Sequence, residues 1–186
     1  ELAASNKDKN LFSSIDDTDN TGFASKFNYS FEKETNKKFM LNSEINIDYI
    51  DKNFQPIERI YNTEFNRDWS IDNILDRNKN QLLSDISIGL KSNRFGNFYY
   101  QIENLELGNN YKGTRNNLVI TLDKIDGLKI FSNSSLMNSE TDNYKTEFIR
   151  SNNNLDYKYN IGWSEIKINL EKKVSDNPVN NIINTD

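Results

Sequence analysis

Aromatic side chains in polar surroundings are the residues of this sequence with the clearest capacity for chemistry, in the form of ligand stacking. Trp69 ends a short charged stretch, and Trp163 follows Tyr157 and Tyr159 at alternating positions. Flat aromatic faces beside polar groups can stack on sugar rings. We therefore predict Trp69, Trp163, Tyr157 and Tyr159 as ligand-binding residues. The alternative is a structural role, in a core or in an aromatic girdle at a membrane interface.

The chain has neither histidine nor cysteine, which removes most familiar catalytic centres. Ser-His-Asp triads, cysteine nucleophiles, disulfides and zinc sites built from Cys and His are excluded. Glycoside hydrolysis needs only a pair of carboxylates, and the chain has 28 acidic residues. No pair stands out by its spacing, so we predict no catalytic residues and no enzyme activity.

The segment from Asp17 to Gly22 has oxygen-bearing side chains at alternate positions and a glycine, as calcium-binding loops do. The pattern fails at Thr21, and no glutamate follows at the offset that a bidentate ligand requires. A solvated hairpin turn fits the segment better. We therefore predict no metal site and no cofactor.

The 186-residue chain is acidic, with a formal net charge of −5. Nucleic acids and anionic membranes are bound by clustered Lys and Arg, so neither is a predicted partner. Hydrophobic residues make up 35% of the chain and the mean hydropathy is −0.83, which suffices to cover one face of a sheet. The sequence has no run of about 18 apolar residues that could form a membrane-spanning helix.

Apolar and polar residues alternate along most of the chain, which predicts β-strands with one apolar and one polar face. Phe27, Tyr29 and Phe31 belong to one such apolar row, and Asp126-Gly127 is a strong hairpin signal. The predicted strands cover residues 23–32, 38–50, 57–66, 81–92, 95–107, 115–124, 128–137, 144–150, 155–163 and 165–173. We therefore predict an all-β, antiparallel up-and-down meander of about nine to ten strands, as a single amphipathic sheet or a barrel.

The apolar parity changes within the fifth predicted strand, between Ile102 and Leu105, and a β-bulge near Glu103-Asn104 would explain the change. The whole chain, residues 1–186, is predicted as one β-meander domain or a segment of a larger β-protein. Residues 1–22 and 175–186 are expected to be less ordered. Because the chain starts at Glu1 without a methionine or a signal peptide, we expect a mature fragment of a longer protein.

The apolar face of the predicted sheet needs something to cover it. The sheet could close around an apolar cavity, form a membrane barrel with the apolar face towards lipid, or pack on another part of a longer chain. Strands of about ten residues are typical of membrane barrels. Polar interruptions in the apolar rows, such as Ser132 and Ser134, favour the other arrangements.

Two stretches of this chain resemble segments of large β-rich cell-envelope proteins of the Bacteroidota. They are Thr21-Gly22-Phe23-Ala24 with the hairpin after it, and the segment from Ile57 to Trp69, which reads IERIYNTEFNRDW. In that family a "GFA" strand precedes an "ER…EFNRDW" strand. The hairpin that begins at Phe148-Ile149-Arg150 is also similar. The resemblance covers about two-thirds of the chain, and it implies a place in the cell envelope and a much longer parent protein.

These patterns together favour a non-catalytic structural or binding segment of a large bacterial cell-envelope β-protein, associated with the outer membrane or periplasm as a scaffold or conduit. The expected partners are the remainder of a longer parent chain or other envelope proteins. The alternatives are a soluble β-barrel that binds an apolar ligand and a carbohydrate-binding β-domain. Nucleic acid is not an expected partner.

Overall fold

The fold is an antiparallel β-sheet in a computed structural model that describes residues 1–8, 20–35, 38–71 and 79–176. Within these described residues, nine strands follow one another in the sheet in the order of the sequence. The all-β up-and-down meander predicted from the sequence is therefore confirmed. The first and last strands, as described, do not pair with each other, so the sheet is open and not closed into a barrel.

The strands after β1 are long, with 12 to 15 residues each, and most are joined by short turns. Their bounds are β1 Leu2–Asn6, β2 Thr21–Thr35, β3 Phe39–Ile50, β4 Gln81–Ser92, β5 Gly96–Leu107, β6 Tyr111–Ile125, β7 Leu128–Thr141, β8 Lys145–Tyr159 and β9 Gly162–Asp176. One helical turn, α1 Phe65–Asp68, lies in the connection between β3 and β4. Gly127, with φ of 70°, sits in the predicted turn between β6 and β7.

The prediction of a strand at residues 57–66 is wrong. β3 and β4 pair directly along their whole lengths, from Phe39–Ser92 to Ile50–Gln81, which leaves no place for a strand between them. The separate strands predicted at 144–150 and 155–163 form the single strand β8, because Asn152 and its neighbours continue the ladder with β7. Within the predicted less ordered start, Leu2–Asn6 pairs with Thr21–Ser25.

Some predictions concern residues that the structure does not describe. The calcium-like segment that starts at Asp17 lies largely among residues 9–19, outside the described residues, and so does most of the expected C-terminal tail, at 177–186.

The two faces of the sheet differ in character, as the alternation predicts. Directly paired residues on neighbouring antiparallel strands share a face. Ile86 pairs with Ile45 and Ile102, and these side chains lie on what we call the apolar face. On the opposite, polar face, Asp85 pairs with Asn46 and Glu103 in the same way.

The bulge predicted at Glu103-Asn104 is wrong, because β5 keeps an unbroken register with both of its neighbours. Leu105 and Leu107 lie on the polar face, at alternate positions of β5 after Glu103, and both are buried. The parity change therefore reflects a change of which face is covered. A one-residue slip of the strand is not involved.

Residues 51–71, which we call the inset, supply that cover. The inset leaves β3 after Ile50, and its aromatic residues pack on one end of the polar face. The buried cluster consists of Phe65, Trp69, Leu105, Leu107, Tyr111, Met137 and Phe148. Among the described residues, the core thus lies on the polar face, and many large side chains of the apolar face are exposed.

Candidate binding site on the polar face

Trp69 fixes the inset on the sheet. Its side chain is only 1% exposed, and its backbone carbonyl accepts a hydrogen bond of 2.5 Å from the Tyr111 hydroxyl. Gly113 lies beneath the indole, where a Cβ atom would come within 3.0 Å of Trp69 Cε3. Phe65 packs beside Trp69 and stacks on Tyr61 with 3.9 Å between ring centroids. The absence of a side chain at Gly113 is therefore what lets Trp69 pack directly against β6.

Arg115 covers the outer side of the indole. Its guanidinium carbon lies 5.0 Å from the centre of the Trp69 ring, within the range of a cation–π interaction. Its Nε and Nη2 donate to the two carboxylate oxygens of Glu103, at 2.7 and 3.0 Å. This bidentate pair is a strong, geometrically defined contact. The remaining Nη1 lies 3.6 Å from Asp68 Oδ2, so Arg115 joins the sheet to the inset.

Arg150 on β8 approaches the same carboxylate from the other side. Its Nη1 lies 3.5 Å from Asp68 Oδ1, and its guanidinium carbon lies 4.9 Å from the centre of the Phe148 ring. The buried Nε of Arg150 has no hydrogen-bond partner among the described residues, and Glu171 Oε2 lies 3.5 Å from it. Arg150 is thus held between two carboxylates without a short hydrogen bond to either.

A cavity of about 270 Å³ opens beside these two arginines. Its floor is apolar, from Met137 and Phe148, and its walls are polar. The wall residues besides Asp68, Arg115 and Arg150 are Asn117, Asn133, Ser135 and Asn152. Within the described part of the chain, no hydrogen bond engages the side chains of Asn133, Ser135 or Asn152. These amide and hydroxyl groups are therefore free to bind a ligand.

Side-chain hydrogen bonds connect this cavity to the middle of the sheet. Asn117 Nδ2 donates to Glu103 Oε2 at 2.6 Å and to Gln101 Oε1 at 3.3 Å. Gln101 Nε2 donates to Asp85 Oδ1 at 3.1 Å, and Asn46 Nδ2 donates to the same oxygen at 3.2 Å. The polar face is therefore an ordered network from β3 to β6 and is not simply a solvated surface.

The structure separates the predicted ligand-binding residues. Trp69 is enclosed between Gly113 and Arg115, so its faces are not open to a sugar ring. Trp163 is 72% exposed at the start of β9, and the rings of Tyr157 and Tyr159 stack at 5.9 Å at the end of β8. A turn lies between them, so Trp163 pairs with Lys158 and falls on the face opposite to the two tyrosines. A surface depression of about 560 Å³ is nevertheless lined by both Tyr157 and Trp163.

Sequence reasoning missed Arg115 and Arg150 because each looks like an ordinary polar residue of an alternating strand. The available signal was charge at one parity, since Glu103, Arg115 and Arg150 are charged residues at polar-face positions of β5, β6 and β8. The link between Arg115 and Arg150 depends on Asp68. The sequence analysis predicted a strand at residues 57–66 and did not place Asp68 on the sheet.

The described residues contain no group of three acidic side chains arranged to hold a metal ion. In the same part of the chain, no helix has the length and apolar character needed to cross a membrane. Comparisons with protein-family models, curated proteins and solved structures found no match to this chain.

Proposed function

We propose that this chain is a wall segment of a bacterial outer-membrane β-structure, with its apolar face against the acyl chains of lipid and its polar face towards an aqueous interior. The role is structural, as a scaffold or conduit, and not catalytic. The resemblance to β-rich envelope proteins agrees with this location. The observation that carries the proposal is the shape of the exposed apolar region.

The apolar region forms a band that slants across the strands. On β2 it runs from Phe23 to Phe31 and ends at Lys33, and Phe31 lies in the same cross-strand row as Leu170 on β9. On β9, which is antiparallel to β2, the main apolar run covers Ile166 to Leu170 and is followed by Lys172. The run on β9 therefore extends from this shared row in the direction opposite to the run on β2. The band therefore moves along the strands as it crosses the sheet.

This slant has a simple geometric explanation. The centre of the band shifts by about six residues, or ~20 Å, across seven strand spacings of ~4.8 Å. The strands would then be inclined by about 30° to the normal of a flat apolar slab, close to the 35–45° tilt of strands in membrane β-structures.

Charged residues border the band where it ends on β5 to β8. Lys112 pairs with Glu106 at 3.8 Å, and Lys145 pairs with Glu140 at 3.0 Å, all on the apolar face. Charges tolerated at these positions would lie at the level of the lipid headgroups. An apolar band with charged borders is the pattern that a bilayer of finite thickness selects.

The polar interruptions inside the band are satisfied by one another. Ser132 Oγ donates to Asn153 Oδ1 at 2.6 Å, and the hydroxyls of Ser134 and Ser151 lie 2.7 Å apart. Asn153 Nδ2 donates to Ser151 Oγ at 2.9 Å. Hydrogen bonding of this kind lowers the cost of placing polar groups against hydrocarbon. These hydrogen-bonded polar residues are therefore compatible with a lipid-facing surface.

Quenching by brominated phospholipids tests the proposal directly. The chain is reconstituted into vesicles with Trp163→Phe as the background, so that Trp69 is the remaining tryptophan. Ile88→Trp is then added inside the band. We expect bromine on the acyl chains to quench the added tryptophan strongly, because the side chain at position 88 faces lipid. Emission from Trp69 should stay nearly constant, because the inset encloses it on the other face.

A matched variant on the polar face provides the control. Val119→Trp lies on the neighbouring row of that face, and we expect little quenching by acyl-chain bromine. Equal quenching at positions 88 and 119, or none at position 88 in a vesicle-bound protein, would contradict the proposal. A monodisperse chain without detergent that takes up a fluorescent fatty acid would instead favour a soluble, ligand-binding sheet.

A further inference from the structure

We infer that Arg115 and Arg150 form a binding site for a tetrahedral oxyanion, a phosphate or sulfate group, and that the Asp68 carboxylate occupies this site as an internal competitor. The site lies on the polar face and does not depend on what covers the apolar face. Its ligand chemistry follows from the guanidinium groups and from the cavity beside them.

The bridging position of Asp68 demonstrates that the two arginines can share one oxyanion. Its Oδ2 faces Arg115 Nη1 at 3.6 Å, and its Oδ1 faces Arg150 Nη1 at 3.5 Å. Both distances exceed the 2.7–2.9 Å that is typical of charge-assisted hydrogen bonds between guanidinium and carboxylate groups. The carboxylate therefore spans the gap without filling it.

Arg150 retains unused binding capacity. A guanidinium has five N–H donors, and the buried Nε of Arg150 has no hydrogen-bond partner in the described part of the chain. Leaving a buried donor unpaired has a free-energy cost, and a ligand oxygen that accepts from it would remove that cost. The ring of Phe148 keeps the guanidinium plane in place, so the donors are already oriented.

The cavity has the size and lining for a larger anion than a carboxylate. It measures about 270 Å³ and presents the uncommitted side chains of Asn133, Ser135 and Asn152 next to Arg150. Amide N–H and hydroxyl groups can complete the coordination of a tetrahedral oxyanion. The other charged groups nearby are Glu103, which is engaged with Arg115, Glu171, which is 3.5 Å from Arg150 Nε, and Arg67, whose Nε lies 3.8 Å from Asp68 Oδ1.

Competition between ligand and Asp68 gives the site a distinctive signature. Asp68 is the last residue of α1 in the inset, and its carboxylate contacts Arg115 and Arg150 on the sheet. An oxyanion that replaces this carboxylate therefore removes one attachment of the inset to the sheet. Trp69, the next residue, lies against Arg115 and should report the exchange through its fluorescence. Arg115 remains fixed by Glu103, and Trp69 remains fixed by Tyr111, so the inset need not detach.

The test is a sulfate titration of the 186-residue chain in a zwitterionic detergent that lacks a phosphate group, with Trp163→Phe as the background. We expect a saturable change in Trp69 emission that sodium chloride at equal ionic strength does not produce. Asp68→Asn should lower the midpoint several-fold, because it removes the competing charge. Arg150→Gln should abolish the saturable change, and Arg150→Lys should weaken it, because Lys lacks the planar donor fork.

Arg94→Gln is the matched control, since Arg94 also lies over an aromatic ring, that of Phe95, but at the opposite end of the sheet. It should leave the titration unchanged. Opposite effects of Asp68→Asn and Arg150→Gln distinguish competition from simple loosening of the inset, which would move both variants in the same direction. No saturable response, or effects of the same sign, would overturn the inference; if Arg150→Gln does not fold, an unchanged midpoint in Arg150→Lys would do so.

Two further titrations identify the source of the oxyanion. Inorganic phosphate represents a free ion, and a short-chain phosphatidic acid below its micelle concentration represents a lipid headgroup. Tighter binding of the lipid supports the headgroup as the ligand, and equal binding supports a free oxyanion. In both cases, the midpoint should respond to Asp68→Asn in the same direction as with sulfate.

Discussion

At the scale of single residues, Arg115 joins the polar network of the sheet to the aromatic core. It forms a bidentate pair with Glu103, lies over Trp69 and approaches Asp68. An exposed ion pair contributes little to stability, but here both members are largely shielded, at 21% and 12% side-chain exposure. Loss of Arg115 would leave Glu103 as a partly buried charge without its partner, which is the costly case.

Gly113 is the residue at which the fit between inset and sheet is tightest. In Gly113→Ala, the new Cβ would lie 2.6 Å from the Tyr111 hydroxyl oxygen and 3.0 Å from Trp69 Cε3. We expect the inset to shift outwards, at a cost of about 1–3 kcal/mol, as in overpacked cores. A red shift of Trp69 emission and a lower midpoint of chemical unfolding measure this effect.

Thr121→Ala, at another polar-face position of β6, is the control for this substitution and should change neither quantity. If Gly113→Ala leaves the emission of Trp69 unchanged, Trp69 does not pack directly against Gly113 as described.

At the scale of elements, the inset is a segment whose interactions are aromatic and partly desolvated. Tyr61 stacks on Phe65, and burial, with a smaller effect of the nearby Asp48 carboxylate, raises the pKa of Tyr61 from 10.0 to about 12. Its hydroxyl oxygen is buried without a hydrogen-bond partner among the described residues. The ring of Tyr61 therefore contributes to packing, while its hydroxyl group contributes little.

This arrangement predicts how stability depends on pH. The folded state keeps the Tyr61 proton to a higher pH than the unfolded state, so the contribution of Tyr61 to stability is complete below pH 10 and is lost as the pH rises towards about 12. Tyr61→Phe should be neutral or stabilising within about 1 kcal/mol at pH 7. Its advantage over the unmodified chain should then increase above pH 10.

Urea unfolding of both proteins in detergent at several pH values measures the difference, and the other tyrosines cancel because both proteins contain them. A difference in the free energy of unfolding that stays constant from pH 8 to about 12 would contradict the expected linkage.

The inset also marks the limit of prediction from the sequence. Alternation located the strands because side-chain direction in a strand is a local property. The inset covers the polar face through contacts distant in sequence, such as those of Trp69 with Tyr111 and Gly113, and no local pattern encodes them. The change of apolar parity at Leu105 was the sequence signal of this cover, but a local β-bulge explains the same change equally well.

At the scale of the whole molecule, the pattern of one apolar and one polar face predicted the neighbour-to-neighbour order of the strands. It left open whether the sheet closes into a barrel, and it did not predict which face carries the core. The apolar rows are the more hydrophobic, and a soluble protein would bury them. The sheet instead buries the end of its polar face beneath the inset and leaves residues such as Ile86 more than half exposed. Candidate ligand residues were equally hard to predict, since Arg150 acquires its role only through Asp68.

The strictly sequential order of the strands has a mechanical consequence. Among the described residues, each strand of the sheet pairs only with its chain neighbours, so tension applied between the two ends of the chain should remove strands one after another from the two edges of the sheet. The five-residue β1 should leave first at one edge, and β9 leaves before β8 at the other. Departure of β8 also withdraws Phe148 and Arg150 from the inset, so this step should require more force than the departure of β9. Optical-tweezers traces should show this graded series, with the β8 step weakened by Phe148→Ala. A single all-or-none rupture would mean instead that the contacts of the inset make unfolding of the whole sheet cooperative.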